Sequence, residues 1–256
     1  MNNVNQTLYI PLYGKAYATE NHILLKDNKA VEIWKQCQIS LKGKSKSKWL
    51  AYYMAMRAKV FDEWVNQHVN EDIVVLHLGC GLDSRVLRVN ASCEWYDIDF
   101  DEVIKERYKY FSESNTYHMV ASDVRDTLWL NKINNSKALV VMEGISMYLT
   151  NDACKQLFKE LTDYFEEVRI LVDVYSEFAA KASKYKNPIN DVGVHTVYGL
   201  NNPTYLENEQ LQYIQELEMT PTAYIEQLPS KDQWLFKTLY AGKTASSMYH
   251  IYEFRK

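Results

Sequence analysis

The chain has 256 residues, 47% of them hydrophobic and 24% charged, which suits one elaborated globular domain with a sizeable core. Its formal net charge of -4 removes the electrostatic case for duplex nucleic acid or an anionic membrane as the main partner, leaving a small molecule or a protein. The four cysteines (Cys37, Cys80, Cys93, Cys154) form no C-x-x-C pair and no histidine stands at zinc-ligand spacing, so no metal and no disulfide framework is expected.

The first residues carry no basic stretch leading into an apolar one, and no apolar run approaches the roughly 18 residues of a membrane span, so a cytoplasmic protein is expected. Residues 1–70 read as a helical N-terminal extension: apolar residues recur at helical spacing over 30–37 and, without Gly or Pro, over 48–68. The basic run 42–48 between them reads as a solvated loop, with contact to a substrate anion as the sharper alternative.

From residue 73 short apolar segments alternate with helix-like ones, the pattern of βαβ units around a parallel sheet. Strands are predicted at 73–78, 93–98, near 117–120, at 137–142 and at 169–174, with helices at 101–111 and 152–165. The polar stretch 181–202 reads as a loop or lid. Beyond it the pattern predicts a helix at 207–217, a strand after Met219, a helix at 231–241 and a last strand at 248–254. The fold class is α/β, Rossmann-like, with a seven-stranded mostly parallel sheet. The single domain divides into the extension (1–70), a cofactor-binding core (71–175), a lid or substrate-covering segment (176–218) and closing strands (219–256).

In such sheets ligands bind beyond the carboxyl ends of the strands where the strand order reverses, which draws attention to Gly79-Cys80-Gly81-Leu82-Asp83-Ser84-Arg85 after the first strand. Glycines there let the backbone turn sharply against a ligand, and a following helix would present unpaired N–H groups. Asp99, about 20 residues beyond Gly79 at the end of the second strand, suits both hydroxyls of an adenosine ribose. Dinucleotide enzymes need a third glycine where this chain has Ser84; S-adenosylmethionine, which has no pyrophosphate, does not.

Asp123 and the backbone of Val124, after the third strand, are candidates for the adenine, although an acid before a helix is commonly an N-cap. Glu143, after the fourth strand, is a candidate partner for the cofactor ammonium. Tyr148 is a candidate to orient a substrate oxygen, with core packing as the competing reading. Arg57 is a candidate for the methionine carboxylate, its alternative being a surface arginine on an amphipathic helix.

Together these residues resemble the leucine carboxyl methyltransferase family, which includes bacterial polyketide carboxyl O-methyltransferases. The resemblance rests on Arg57 in a helix ending Phe61-Asp62, on Leu78-Gly79-Cys80-Gly81-Leu82-Asp83-Ser84-Arg85, on Tyr96-Asp97-Ile98-Asp99-Phe100, and on Glu143 five residues ahead of Tyr148-Leu149. It covers roughly residues 50–175 and implies that Arg57 binds the cofactor carboxylate, Gly79 and Gly81 the methionine portion, Asp99 the ribose, Asp123 and Val124 the adenine, and Glu143 the ammonium, with Tyr148 beside the acceptor. Where the family has Pro two residues after the ribose acid, this chain has Asp101, a favourable residue at a helix start. The chain is shorter than the eukaryotic members that methylate a protein C-terminus, which favours a small-molecule acceptor.

The resemblance implies an S-adenosylmethionine-dependent O-methyltransferase acting on a carboxylate or hydroxyl of a small molecule. Methyl transfer needs an acceptor oxygen about 3 Å from the methyl carbon, so positioning supplies most of the catalysis. A carboxylate is already ionised at pH 7, and no general base stands out. His77 reads as strand core, and His195, within the presumed lid, as a candidate substrate contact. The alternatives are a non-catalytic Rossmann-like ligand-binding or regulatory protein, methylation of a protein C-terminal carboxylate, and a nicotinamide-dependent oxidoreductase, which Ser84 disfavours.

Overall fold

The computed structural model describes residues 7–37, 39–41, 43–90, 92–186 and 196–256. It begins with α1 (Tyr9–Glu20), α2 (Asn28–Gln36) and the long α3 (Lys48–His68). Asp27 caps α2 by accepting the Ala30 N–H at 2.8 Å, and Ser47 opens α3 by accepting from Trp49 N. With no Gly or Pro to interrupt it, α3 runs over the whole predicted stretch. The basic run ahead of it is more ordered than a solvated loop: Gly43–Lys46 forms a 3-10 turn with Ser45 buried, and Lys48 pairs with Asp232 at 2.8 Å.

The sheet is built from β1 (Val74–Leu78), β2 (Trp95–Asp99), β3 (Tyr117–Ala121), β4 (Lys137–Met142) and β5 (Glu167–Tyr175), with α4 (Asp101–Arg107) and α5 (Asn151–Tyr164) as connections. After β5 come α6 (Glu177–Lys186), β6 (Gln212–Leu217), α7 (Thr222–Ile225), α8 (Ser230–Leu239), α9 (Lys243–Ser246) and β7 (Tyr249–Arg255). The seven strands lie in the order β3-β2-β1-β4-β5-β7-β6. The first five pair in parallel and β7 runs antiparallel to both β5 and β6. This is the expected Rossmann-like, mostly parallel sheet, and its order reverses between β1 and β4.

Both faces of the sheet are covered, which is why β1 is buried along its whole length. Val75 joins the core formed with α1 and α3, while Val74, Leu76 and Leu78 join the one formed with α5, as strand alternation requires. Thr150 caps α5 by accepting the Ala153 N–H at 3.1 Å. Among the described residues no helix is long and apolar enough to cross a membrane.

Four expectations need correction, the first being the loop or lid read over 181–202: its residues 181–186 belong to α6, and 187–195 lie outside the described residues. The segment predicted as a helix over 207–217 holds the edge strand β6, preceded by a 3-10 turn at Pro203–Leu206. Leu211, Ile214 and Leu217 recur at helical spacing, but pairing with β7 outweighs that local signal, and a register shift between Tyr213 and Gln215 accommodates the misfit. The strand expected after Met219 is instead the helical turn α7, introduced by Pro221. The helix expected over 101–111 ends at Arg107, whose side chain turns inward and is fully buried.

Candidate active site

At the reversal point the loop after β1 takes a left-handed path, with φ of +69° at Gly79 and +52° at Gly81. The loop packs so closely on the one after β4 that a Cβ at Gly79 would sit 1.9 Å from Ile145 Cγ2. Gly79→Ala is therefore expected to cost about 2–3 kcal/mol through backbone strain and overpacking, read as a lower urea midpoint at unchanged slope. A midpoint equal to wild type would refute the tight fit.

No α-helix follows this loop, contrary to expectation; a 3-10 turn, Arg85–Leu87, stands there. Ser84, at the position of a dinucleotide enzyme's third glycine, is buried and donates its hydroxyl to Asp27 Oδ1 at 2.5 Å. With neither a close-packed helix nor its N-terminal N–H groups, the loop lacks the usual seat of a pyrophosphate, which counts against the nicotinamide alternative.

Asp99 holds the loop from the next strand. One oxygen accepts the Gly81 N–H and the other the Phe100 N–H, each at 2.8 Å, and each oxygen keeps a lone pair for a further donor. Burial pushes the Asp99 acid above its ordinary range, against the pull of these two N–H groups.

Arg57, far from being a surface residue, is buried. Its Nε donates to Glu143 Oε1 at 2.8 Å, and its Nη1 donates to the Tyr249 hydroxyl at 2.7 Å and lies 3.1 Å from Asp173. Its Nη2 has no partner among the hydrogen bonds of the described residues and faces the cavity beside Gly144. Arg85 grips the second Glu143 oxygen and donates to Asp62 at 2.7 Å, while Arg88 ties Asp62, Asp83 and Asp27 together. Burial alone would raise the Glu143 acid, but Arg57 and Arg85 outweigh it and hold it at about 2.

A second buried network lies behind the loop. His77 Nδ1 is 3.0 Å from Asp97 and its Nε2 is 3.3 Å from Arg85 Nη1. Arginine has no acceptor, so Nε2 accepts and Nδ1–H donates; both nitrogens are committed. Arg107 bridges Asp97 to the Gly81 carbonyl at 3.0 Å, fastening the loop to α4.

Asp123 does not cap a helix; Asp126 caps the next 3-10 turn instead. Asp123 accepts from Arg125 Nε at 2.9 Å, and that bond holds its acid below the ordinary range. Val124 beside it is buried. Tyr148 ends a 3-10 turn after β4, and burial pushes its phenol well above the usual value, so it stays protonated as a donor.

All eight sequence-predicted site residues, Arg57, Gly79, Gly81, Asp99, Asp123, Val124, Glu143 and Tyr148, line one cavity of about 850 Å³. This volume is at the upper end of the usual range of about 300–1,000 Å³ for small-molecule sites. Lys15, Lys44 and Tyr249 line it as well, while Asp173 supports Arg57 from behind. Lys15, Tyr249 and Asp173 come from stretches without a recognisable motif, so no local signal marked them, whereas Lys44 lies in the basic run 42–48, whose sharper reading was contact with a substrate anion. His195 lies outside the described residues.

A profile of the leucine carboxyl methyltransferase family matches residues 14–162. The chain is 28% identical over 189 residues to the tetracenomycin polyketide synthesis O-methyltransferase TcmP of Streptomyces glaucescens, covering 71% of this chain and 70% of that protein. It is 24% identical over 234 residues to the S-adenosyl-L-methionine-dependent methyltransferase dpfgK of Gibberella zeae, covering 81% and 78%. Among solved structures, the N-methyltransferase NodS of Bradyrhizobium japonicum WM9 in complex with S-adenosyl-L-homocysteine shares the fold with a TM-score of 0.53. At 10% identity, that match covers 90% of this chain and 99% of NodS.

Proposed function

We propose, from the premise that this chain belongs to the leucine carboxyl methyltransferase family and is an S-adenosylmethionine-dependent O-methyltransferase, that its acceptor is the carboxylate of a small, largely aromatic molecule of polyketide type. The observation that carries this reading is the single cavity in which the ribose-type acid Asp99 and an apolar, tyrosine- and methionine-rich chamber are continuous.

The cofactor roles follow from the donors and acceptors left over. Arg57 Nη2, free of hydrogen-bond partners among the described residues, suits the amino-acid carboxylate, and Glu143, ionised between two arginines, suits the ammonium. Gly79 and Gly81 leave room for the methionine chain, the spare lone pairs of Asp99 suit the ribose hydroxyls, and Asp123 with the Val124 backbone suits the adenine.

When bound, S-adenosylmethionine supplies an electrophilic methyl group: the acceptor oxygen bonds the methyl carbon as the carbon–sulfur bond breaks, and the electron pair stays on sulfur. A carboxylate acceptor has no proton to lose at pH 7, and, with Asp99 given to the ribose, no idle carboxylate or imidazole is left among the described residues of the cavity to remove one. His77 is bonded at both nitrogens, Glu143 and Asp123 are ion-paired, and the Tyr148 phenol holds its proton. Tyr148 acts as a donor that orients the acceptor oxygen. Tyr148→Phe is expected to lower kcat about tenfold at unchanged S-adenosylhomocysteine affinity; equal losses in both would make the ring a packing element only.

The direct test pairs calorimetric titration of S-adenosylhomocysteine with labelled methyl transfer to panels of aryl carboxylic acids, phenols and peptides with a C-terminal leucine. Transfer to the acids alone supports the reading; transfer to phenols or peptides alone replaces the acceptor.

A further inference from the structure

Among the described residues four cations and four carboxylates line the cavity, and three of each neutralise one another: Lys15 with Asp83 at 3.4 Å, Arg57 with Glu143 at 2.8 Å, and Arg125 with Asp123 at 2.9 Å. The remaining pair, Asp99 and Lys44, is not matched. Asp99 carries two backbone N–H groups and suits an uncharged hydroxyl ligand. The Lys44 ammonium has no hydrogen-bond or ion-pair partner among the described residues.

Lys44 stands on the 3-10 turn just ahead of α3. Ser47, Leu50, Met54 and Arg57, spaced three or four residues apart, share the face of α3 that borders the cavity. The ten residues from Ser47 to Arg57 rise about 15 Å, so Lys44, ahead of Ser47, borders the cavity well away from Arg57 along α3. The cavity walls also include apolar and aromatic side chains, Tyr53, Met147, Tyr148 and Tyr240 among them. Lys44 is itself exposed, so it stands where the cavity meets solvent and an acid paired with it there is partly screened.

We propose that Lys44 is a specificity-determining residue that pairs with a second anionic group on the acceptor, remote from the carboxylate that receives the methyl group. The preferred acceptor is then an elongated aromatic molecule bearing two acids, the apolar walls taking its rings. This rests on the methyltransferase reading of the same cavity.

The test is calorimetry on the protein saturated with S-adenosylhomocysteine, using para,para′-biphenyldicarboxylic acid and para-biphenylcarboxylic acid as probes. Wild type is expected to bind the diacid about threefold more tightly than the monoacid, the factor expected of one solvent-exposed charged contact. Lys44→Met abolishes that preference and Lys44→Glu reverses it, while S-adenosylhomocysteine affinity stays the same in all three. Absence of the preference in wild type, including failure of both probes to bind, overturns the proposal, as does its survival in Lys44→Met. A separate titration in which wild type fails to bind S-adenosylhomocysteine removes the methyltransferase reading itself, and the proposal with it.

Discussion

Asp99→Ala is expected to weaken S-adenosylhomocysteine binding by two to three orders of magnitude while leaving the protein folded. Hydrogen bonds to a charged acceptor are worth about 1.5–3 kcal/mol each, and the two ribose hydroxyls would lose theirs together. The Gly81 N–H loses its acceptor as well, so part of the loss is a looser glycine loop. Asp99→Asn, which keeps the shape and one carbonyl oxygen, should recover part of the affinity. Binding should also weaken with acid: the ionised carboxylate accepts from both hydroxyls, and burial sets its protonation above the ordinary Asp range. Affinity is then flat at neutral pH and falls as pH drops through that raised value. Calorimetry of wild type and both variants across mildly acidic pH reads all of this. Wild-type affinity in Asp99→Ala would remove Asp99 from the site.

Glu143→Gln is expected to lower stability by about 3–5 kcal/mol, because Arg57 and Arg85 stay buried with one anion fewer between them. In a chain of this size that is on the order of 10 °C in Tm. The pH dependence gives the variant a signature. The Glu143 acid titrates near its ordinary 4.5 in the unfolded chain and at about 2 in the folded one. A depressed folded value means the stabilisation is fully present above 4.5 and is lost as pH falls towards 2. The gap between wild type and Glu143→Gln in urea midpoint should therefore narrow steadily over that interval. A gap that stays constant down to pH 3 would show that Glu143 is not held ionised by the arginines.

The two networks differ in how far the sequence reveals them. Arg85 and Asp62 lie inside stretches that drew attention for other reasons, Leu82-Asp83-Ser84-Arg85 and Phe61-Asp62, yet nothing in those stretches says that Arg85 serves two acids, Asp62 and Glu143, each more than 20 residues away. Asp173 and Tyr249 sit in strands that read only as apolar, and their polar ends meet Arg57 because β5 and β7 are neighbours in the sheet. Lys15 comes from a region legible as helical and nothing more, while Lys44 lies in the basic run 42–48, legible as a place for a substrate anion but not as the one described ammonium of that run to face the cavity without a partner.

The elements show the same division. The spans of α3 and β4 were readable to the residue, since each is a long run of consistent pattern with clear breaks at its ends. β6 was misread because Leu211, Ile214 and Leu217 satisfy a helical period, and only the presence of β7 alongside makes extended backbone the better use of its N–H and C=O groups.

By itself, then, the sequence determined the alternating α/β order, the glycine loop and the acids at the strand ends, because periodicity and turn chemistry act over a few neighbouring residues. The tertiary structure alone decided which charges cancel, which are left facing the cavity, and which edge the last strands occupy. Those outcomes depend on contacts between residues tens to hundreds of positions apart, where the energy of a charge or an edge strand is set by what folding brings beside it.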